Sequence, residues 1–153
     1  MNSISRLLPQ SNILIDLEIS SKKRLLEEVS AYIEKNHSLK RSVIFDSLLA
    51  REKLGSTGLG YGVAIPHGRI KTLQETIGVF VRTKVGIAFD APDGNPVNLI
   101  FVLLVPEKAT DHHLQILGEL AQMFSDRVFR DTLLKAPDSN VIHQLFAGWQ
   151  ANA

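Results

Sequence analysis

The chain has 153 residues, 44% of them hydrophobic, enough for one domain whose core withdraws roughly two-thirds of the unfolded chain's surface from water. Its 17 Lys and Arg stand against 16 Asp and Glu, spread along the chain to a net charge of +1, so no basic stripe presents itself to a polyanion and nucleic acid is not an expected partner. The absence of cysteine excludes disulfides, thiol catalysis and thiolate zinc sites, and fits a reducing, cytoplasmic setting. A single domain over residues 1–153, with its core between about 10 and 150, is the expectation.

The opening MNSISRLLPQSNILIDLEISSKKR carries Asp16 and Glu18 inside its apolar stretch and lacks a basic front and a small-residue cleavage site, so no export signal is expected. Within it NILIDLEI reads as a first strand. SSKKRLLEEVSAYIEKNH then changes to helical spacing, with Leu25, Leu26, Val29 and Ile33 on one face and a solvated end near His37. SLKRSVIFDSLLAREKLG predicts a second helix capped by Ser38, burying Ile44, Leu48 and Leu49 and stopping at Gly55 after a basic last turn. GVAIP is a short strand closed by Pro66, and TIGVFVRT and VNLIFVLLVP have the β-branched and aromatic content of buried strands. Between those two, GIAFDAPDGNP carries turn chemistry at Pro92, Asp93, Gly94 and Asn95, which predicts one more short strand and a tight connection. After Pro106 the chain reads as helical: Thr110 to about Ser125, Arg127 to Lys135, and Ser139 to Trp149, with Trp149 packing the last helix onto the domain. The sum is an α/β (α+β) sandwich, a mixed central sheet of about five strands with helices on both sides. The longest mostly apolar run, Val97 to Val105, falls far short of the ~20 residues of a membrane helix, so no membrane insertion is expected.

The segment REKLGSTGLGYGVAIPHG, residues 51–68, holds five of the ten glycines. Gly55, Gly58, Gly60 and Gly62 could supply positive φ angles and turn successive backbone N–H groups into a concavity for phosphate oxygens, with the hydroxyls of Ser56 and Thr57 as added donors. The spacing fits neither G-x-x-x-x-G-K-[ST] nor G-x-G-x-x-G, and Leu54 stands where a G-x-S-x-G nucleophile elbow needs glycine, so a nucleotide pocket and a serine hydrolase are both disfavoured. On the local pattern alone, a mobile turn with His67 at the surface is the competing reading.

A second histidine weighs against that. In TDHHLQILGELAQMF the apolar positions Leu114, Leu117, Leu120, Ala121 and Phe124 define an expected buried stripe, and His113, unlike His112, lies on its side of the helix. It would sit in a first turn whose free N–H groups favour an anion, or equally be a core histidine hydrogen-bonded to backbone. Arg51 lies a few residues before the glycine loop and within reach of it. Two histidines, an arginine, two hydroxyls and an N–H cradle match what phosphoryl transfer to a side chain needs: a neutral imidazole nucleophile, donors for the equatorial oxygens, and a fixed cation.

The longer segment REKLGSTGLGYGVAIPHGRI resembles the histidine phosphorylation-site signature of phosphotransferase-system enzyme IIA domains of the fructose/mannitol class, and the order of elements over nearly the whole chain is similar to that fold. SSKKRLLEEVSAYI and the REKLGSTG form of the loop look most like the stand-alone nitrogen-related enzyme IIA proteins. The resemblance implies that His67 is phosphorylated on Nε2, that Arg51 and His113 (in HLQIL) are its active-site partners, and that neither cofactor nor metal is used. It implies phosphate from a small HPr-like carrier (HPr or its nitrogen-related counterpart NPr) and control of regulatory target proteins by phosphorylation state. The alternative within the class is a sugar-transport component handing phosphate to an enzyme IIB. Leu59, Tyr61, Val63 and Ile65 are the candidates for a shallow, partly apolar partner surface. A metal enzyme built on His67 with His112 or His113 lacks any H-E-x-x-H or carboxylate cluster, and a binding module without phosphorylation is the remaining reading.

Overall fold

The computed structural model describes residues 3–108 and 110–150. Along the chain come α1 (Ser3–Leu7), a 3-10 turn (Gln10–Asn12), β1 (Ile13–Leu17), α2 (Lys22–His37), α3 (Arg41–Leu54), β2 (Gly58–Gly60), β3 (Val63–Ala64), β4 (His67–Ile70), β5 (Ile77–Ile87), β6 (Val97–Pro106), α4 (Thr110–Ser125), α5 (Arg127–Lys135) and α6 (Ser139–Gly148). The most apolar runs, β5 and β6, pair antiparallel with Phe80 opposite Phe101 and Ile77 opposite Leu104. β1 adds in parallel to β5, and β3 and β4 in parallel to β6, giving a mixed six-stranded sheet.

Helices cover both faces, which is why β5 and β6 read as nearly continuous apolar runs without polar alternation. On one face Phe80, Leu99, Phe101, Leu103 and Val105 pack with Ile4 of α1, Ile116, Leu120 and Met123 of α4, Phe129 of α5 and Phe146 of α6. On the other, Val79, Val81, Ile100, Val102 and Leu104 meet Leu25, Leu26, Val29 and Ile33 of α2 and Ile44 and Leu48 of α3. The α/β sandwich with a mixed sheet is therefore the fold, with six strands where about five were expected.

The differences have local causes. Ser38 does not cap α3; with φ 57° it is the left-handed residue that ends α2, and α3 begins at Arg41 with no side-chain cap. The hydroxyl of Ser21 caps α2 instead, accepting from the Arg24 N–H at 3.1 Å. No separate strand forms in 86–96: β5 runs on to Ile87 past a register shift after Arg82, and the turn closes with Gly94 N–H on the Ala91 carbonyl at 2.9 Å. α1 escaped the reading because five residues are too few to show a helical period. Trp149 does pack as expected, its indole N–H donating to Asp126 at 3.1 Å. Among the described residues no helix is long and apolar enough to cross a membrane.

Candidate active site

β3 and β4 share one register against β6, with Val63 opposite Leu99 and His67 opposite Leu103, so they are one strand interrupted at Ile65–Pro66. His67 is the first residue after the break. Strand alternation turns Gly68 and Ile70 toward the α3 layer and His67 toward the α4 layer. Gly68 allows a close approach: a Cβ there would overlap the Ser47 hydroxyl oxygen and lie 3.2 Å from the Ser47 carbonyl carbon, and that hydroxyl donates to the Arg69 carbonyl at 2.9 Å. That close approach of α3 to β4 brings Arg51, one turn beyond Ser47, around the strand to His67.

Arg51 donates from Nε to His67 Nε2 at 3.2 Å and from Nη1 to the Gly55 carbonyl at 2.9 Å. His67 Nδ1 lies 2.8 Å from the Ile65 carbonyl, an acceptor only, so Nδ1 carries the proton and Nε2 the lone pair. Burial pushes the His67 pKa below its ordinary 6.5, the Ile65 carbonyl opposes this, and the charges of Arg51 and Arg69 add to the depression while Glu52 opposes it. His113 is buried, with its ring centroid 5.3 Å from that of His67 and the two planes at 71°. Neither of its nitrogens has a hydrogen-bond partner among the described residues. Its pKa is also lowered, first by burial and then by His67, Arg69 and Arg51. The structure thus brings Arg51, His67 and His113 together as two neutral imidazoles and a guanidinium. His112 is exposed.

The loop between α3 and His67 is more ordered than a cradle of free donors. Gly60 (φ 92°) and Gly62 (φ 79°) do take positive φ, as does Tyr61 (φ 58°) between them. Gly58 to Gly60 is a strand paired with β3, and Gly58 lies so close to Ala91 that a Cβ would sit 2.9 Å from that residue's own. The N–H of Thr57 donates to Glu52 at 3.1 Å, that of Gly58 to the Ser56 hydroxyl at 3.0 Å, and that of Tyr61 to Asp93 at 2.9 Å. The hydroxyls are committed too, Ser56 to the Phe89 carbonyl and Thr57 to Glu52. Expected donors for an anion thus hold the loop itself in shape. Glu52, buried behind them, went unnoticed in the sequence. Its signal was an acid in the last turn of a helix, where the dipole disfavours one.

α4 differs from its expected stripe. His113, Ile116, Leu120, Met123 and Phe124 are buried, whereas Leu114 is 63% exposed and forms with Leu117, Gly118 and Ala121 a second line along the helix. Leu117, Gly118 and Ala121 border an open hollow of about 320 Å³ beside Arg51, His67, Leu59 and the 56–58 backbone. Leu59 (42% exposed) and Tyr61 (72%) are at the surface as expected, the Tyr61 ring lying 4.6 Å under the Arg130 guanidinium. Val63 and Ile65, also expected there, are core residues at 1% and 3% exposure, because the β3 register against β6 turns them inward. Among the described residues no group of three or more His, Asp or Glu side chains gathers as metal ligands would.

Residues 6–148 match the model of the family described as "Phosphoenolpyruvate-dependent sugar phosphotransferase system, EIIA 2". A nitrogen regulatory protein of Pseudomonas aeruginosa is 40% identical over 146 residues, 95% of either chain. The crystal structure of nitrogen regulatory protein IIA-Ntr from Neisseria meningitidis superposes with a TM-score of 0.90 at 48% identity, covering 94% of this chain and 99% of that one. The mannitol enzyme IIA of Escherichia coli, solved in complex with phosphorylated enzyme IIB, shares the fold at 20% identity, with a TM-score of 0.78 over 94% of this chain and 100% of that one.

Proposed function

This chain belongs to the EIIA 2 family of the phosphoenolpyruvate-dependent sugar phosphotransferase system and is similar over most of its length to nitrogen regulatory proteins; from that premise we propose that it is a phosphoryl relay that accepts phosphate on His67 and regulates partner proteins by its phosphorylation state. The observation that carries the reading is the pinned tautomer of His67: Nδ1 is held on the Ile65 carbonyl and the Nε2 lone pair is directed at the Arg51 guanidinium. An imidazole held below its ordinary pKa is neutral and nucleophilic at cellular pH.

The Nε2 lone pair attacks the phosphorus of a phosphohistidine on an HPr-type carrier, HPr or NPr. An N–P bond forms to His67 as the carrier's N–P bond breaks, and the bonding pair returns to the carrier's imidazole. Arg51 releases Nε2 and neutralises charge on the equatorial oxygens, while a ring nitrogen of buried His113 supplies a hydrogen bond to the phosphoryl group. The hollow bordered by Leu59 and the Leu117–Ala121 line receives the carrier, and the exposed side chains of Leu114 and Tyr61 add to the surface it meets. Phosphorylation places a charge of about −1.5 to −2 at the centre of that surface, which alters the binding of any regulatory target docking there. The reaction belongs in the cytoplasm and requires no cofactor of the chain's own.

The test is incubation with a phosphorylated HPr-type carrier and scoring of acid-labile label. Wild type takes label and His67→Ala does not; label persisting on His67→Ala overturns the assignment. Sugar-dependent loss of that label on adding membranes that carry an enzyme IIB would move the output from regulation to transport.

A further inference from the structure

Glu52 is a buried charge that the transfer step does not touch. Its side chain is 3% exposed at the C-terminal end of α3, where both burial and the helix dipole disfavour a carboxylate. It is held by Lys22 Nζ at 3.0 Å and by the N–H of Thr57 at 3.1 Å, and it accepts the Thr57 hydroxyl as well. From Thr57 the contacts run on without a gap: the Thr57 carbonyl accepts the Ile65 N–H at 3.1 Å, and the Ile65 carbonyl faces His67 Nδ1 at 2.8 Å.

We propose that Glu52 is a positioning residue for His67: acting through Thr57 and Ile65, its carboxylate anchors the carbonyl that holds the imidazole as the Nδ1–H tautomer, with the Nε2 lone pair turned outward. The proposal rests on the reading of His67 Nε2 as the phosphoryl acceptor. The strand break at Ile65–Pro66 makes such an anchor necessary. Pro66 has no N–H, so the Ile65–Pro66 link is tied to the sheet through the Leu103 N–H on the Pro66 carbonyl at 2.9 Å, and the Ile65 peptide depends on Thr57. Thr57 in turn sits where a helix has just stopped, and two of its polar groups end on one carboxylate. Lys22, reaching across from the first turn of α2, balances the charge of that carboxylate and fixes its direction. A ligand-orienting hydrogen bond of this kind selects the tautomer as well as the ring angle.

The experiment compares Glu52→Gln, Thr57→Val and Thr57→Ser with wild type. Three quantities are read: the ring ¹⁵N shifts of His67, kcat and KM with a phosphorylated HPr-type carrier, and the thermal midpoint. Glu52→Gln and Thr57→Val are expected to raise the share of the Nε2–H tautomer and to lower kcat about tenfold with KM little changed, while Thr57→Ser, which keeps the hydroxyl, restores both. An unchanged tautomer ratio in folded Glu52→Gln and Thr57→Val overturns the proposal, as does a kcat that simply follows the thermal midpoint through all three variants. Should Glu52→Gln fail to fold, the near-isosteric Val and Ser pair decides alone. The tautomer is measured without any phosphate, so a wild-type protein that accepts none but whose variants shift tautomer retains the positioning and loses the phosphoryl reading. Transfer at the wild-type rate in both variants does the reverse.

Discussion

Arg51 Nε and His67 Nε2 are 3.2 Å apart, and the hydrogen bond between them occupies the lone pair that a nucleophilic imidazole needs. The same guanidinium is tied to the Gly55 carbonyl at 2.9 Å through Nη1, so it can let go of the ring without leaving the site. Arg51→Ala is expected to raise the His67 pKa, because one of the charges holding it down is gone, although burial, the larger cause, still depresses it. Phosphoryl transfer should fall about 100-fold or more, the usual cost of losing one positioned donor to developing charge. Arg51→Lys should keep much of the pKa depression and recover little of the rate, since an ammonium lacks the planar fork. Titration of the ring by NMR and single-turnover transfer with a phosphorylated carrier check both halves.

His67 and His113 set the sign of a pH effect on stability. Both have folded pKa values below their ordinary 6.5, His67 chiefly through burial and His113 through burial and then its charged neighbours. Below pH 6.5 the unfolded chain binds protons that the folded chain refuses, so stability rises with pH up to about 6.5 and is lost as pH falls from there toward the folded values. Denaturant melts from pH 7.5 to 5 should show this slope, and His67→Gln should flatten it. A slope of opposite sign, or no change in the variant, contradicts the depressed values.

Gly68 is where a side chain would separate the two halves of the site. Its missing Cβ faces Ser47 of α3, the carbonyl carbon 3.2 Å from where that Cβ would be, and the Ser47 hydroxyl is committed to the Arg69 carbonyl. Gly68→Ala should cost about 1–3 kcal/mol as overpacking and pull Arg51 away from His67, so transfer falls as well. Adding Ser47→Gly removes the clash with the Ser47 side chain but leaves the carbonyl carbon in place and gives up the hydroxyl bond to Arg69, so it should recover only part of the stability. Denaturant unfolding of the three variants gives the coupling energy directly.

Leu114 tests the docking surface. It is 63% exposed beside buried His113 and continues the line of Leu117, Gly118 and Ala121 that borders the hollow. An exposed leucine is a normal surface residue, so Leu114→Asp should leave the thermal midpoint within about 2 °C, a surface change being worth ~0.5 kcal/mol or less. Its KM for the carrier should rise about tenfold, the loss of some 1.4 kcal/mol from an apolar contact. Steady-state transfer kinetics and a melting curve separate the two.

Much of the fold was legible because long periodic segments report themselves. The faces of α2 and α3, the runs of β5 and β6 and the whole of α5 were readable from spacing and composition alone. The misses cluster where a few residues are decided by partners far along the chain. Gly58–Gly60 has no strand signal of its own and becomes β2 only by pairing with β3. Val63 and Ile65 fall in a short strand that the sequence shows, but which way its side chains face is set only by the register against β6, which buries them where a partner surface was expected. In α4, His113 lies on the buried side that the spacing predicts, but Leu114 and Ala121 of the same predicted stripe are exposed, because the helical wheel shows which residues share a face and not how wide the covered face is.

The sequence by itself determined the chemistry available at this site. A glycine-rich stretch after a helix ending in Arg51, a histidine following a proline, and a second histidine on the inward side of a later helix name the residue types and their order, and those are local properties of the chain. Only the tertiary structure decided how each of them is held. The approach of α3 to Gly68 sets the 3.2 Å contact between Arg51 and His67; the strand break sets which nitrogen of His67 is held; and Glu52 takes up donors that spacing alone would have offered to a phosphate. Hydrogen bonds are distributed by geometry between segments far apart in sequence, and no local pattern records which partner wins a given donor.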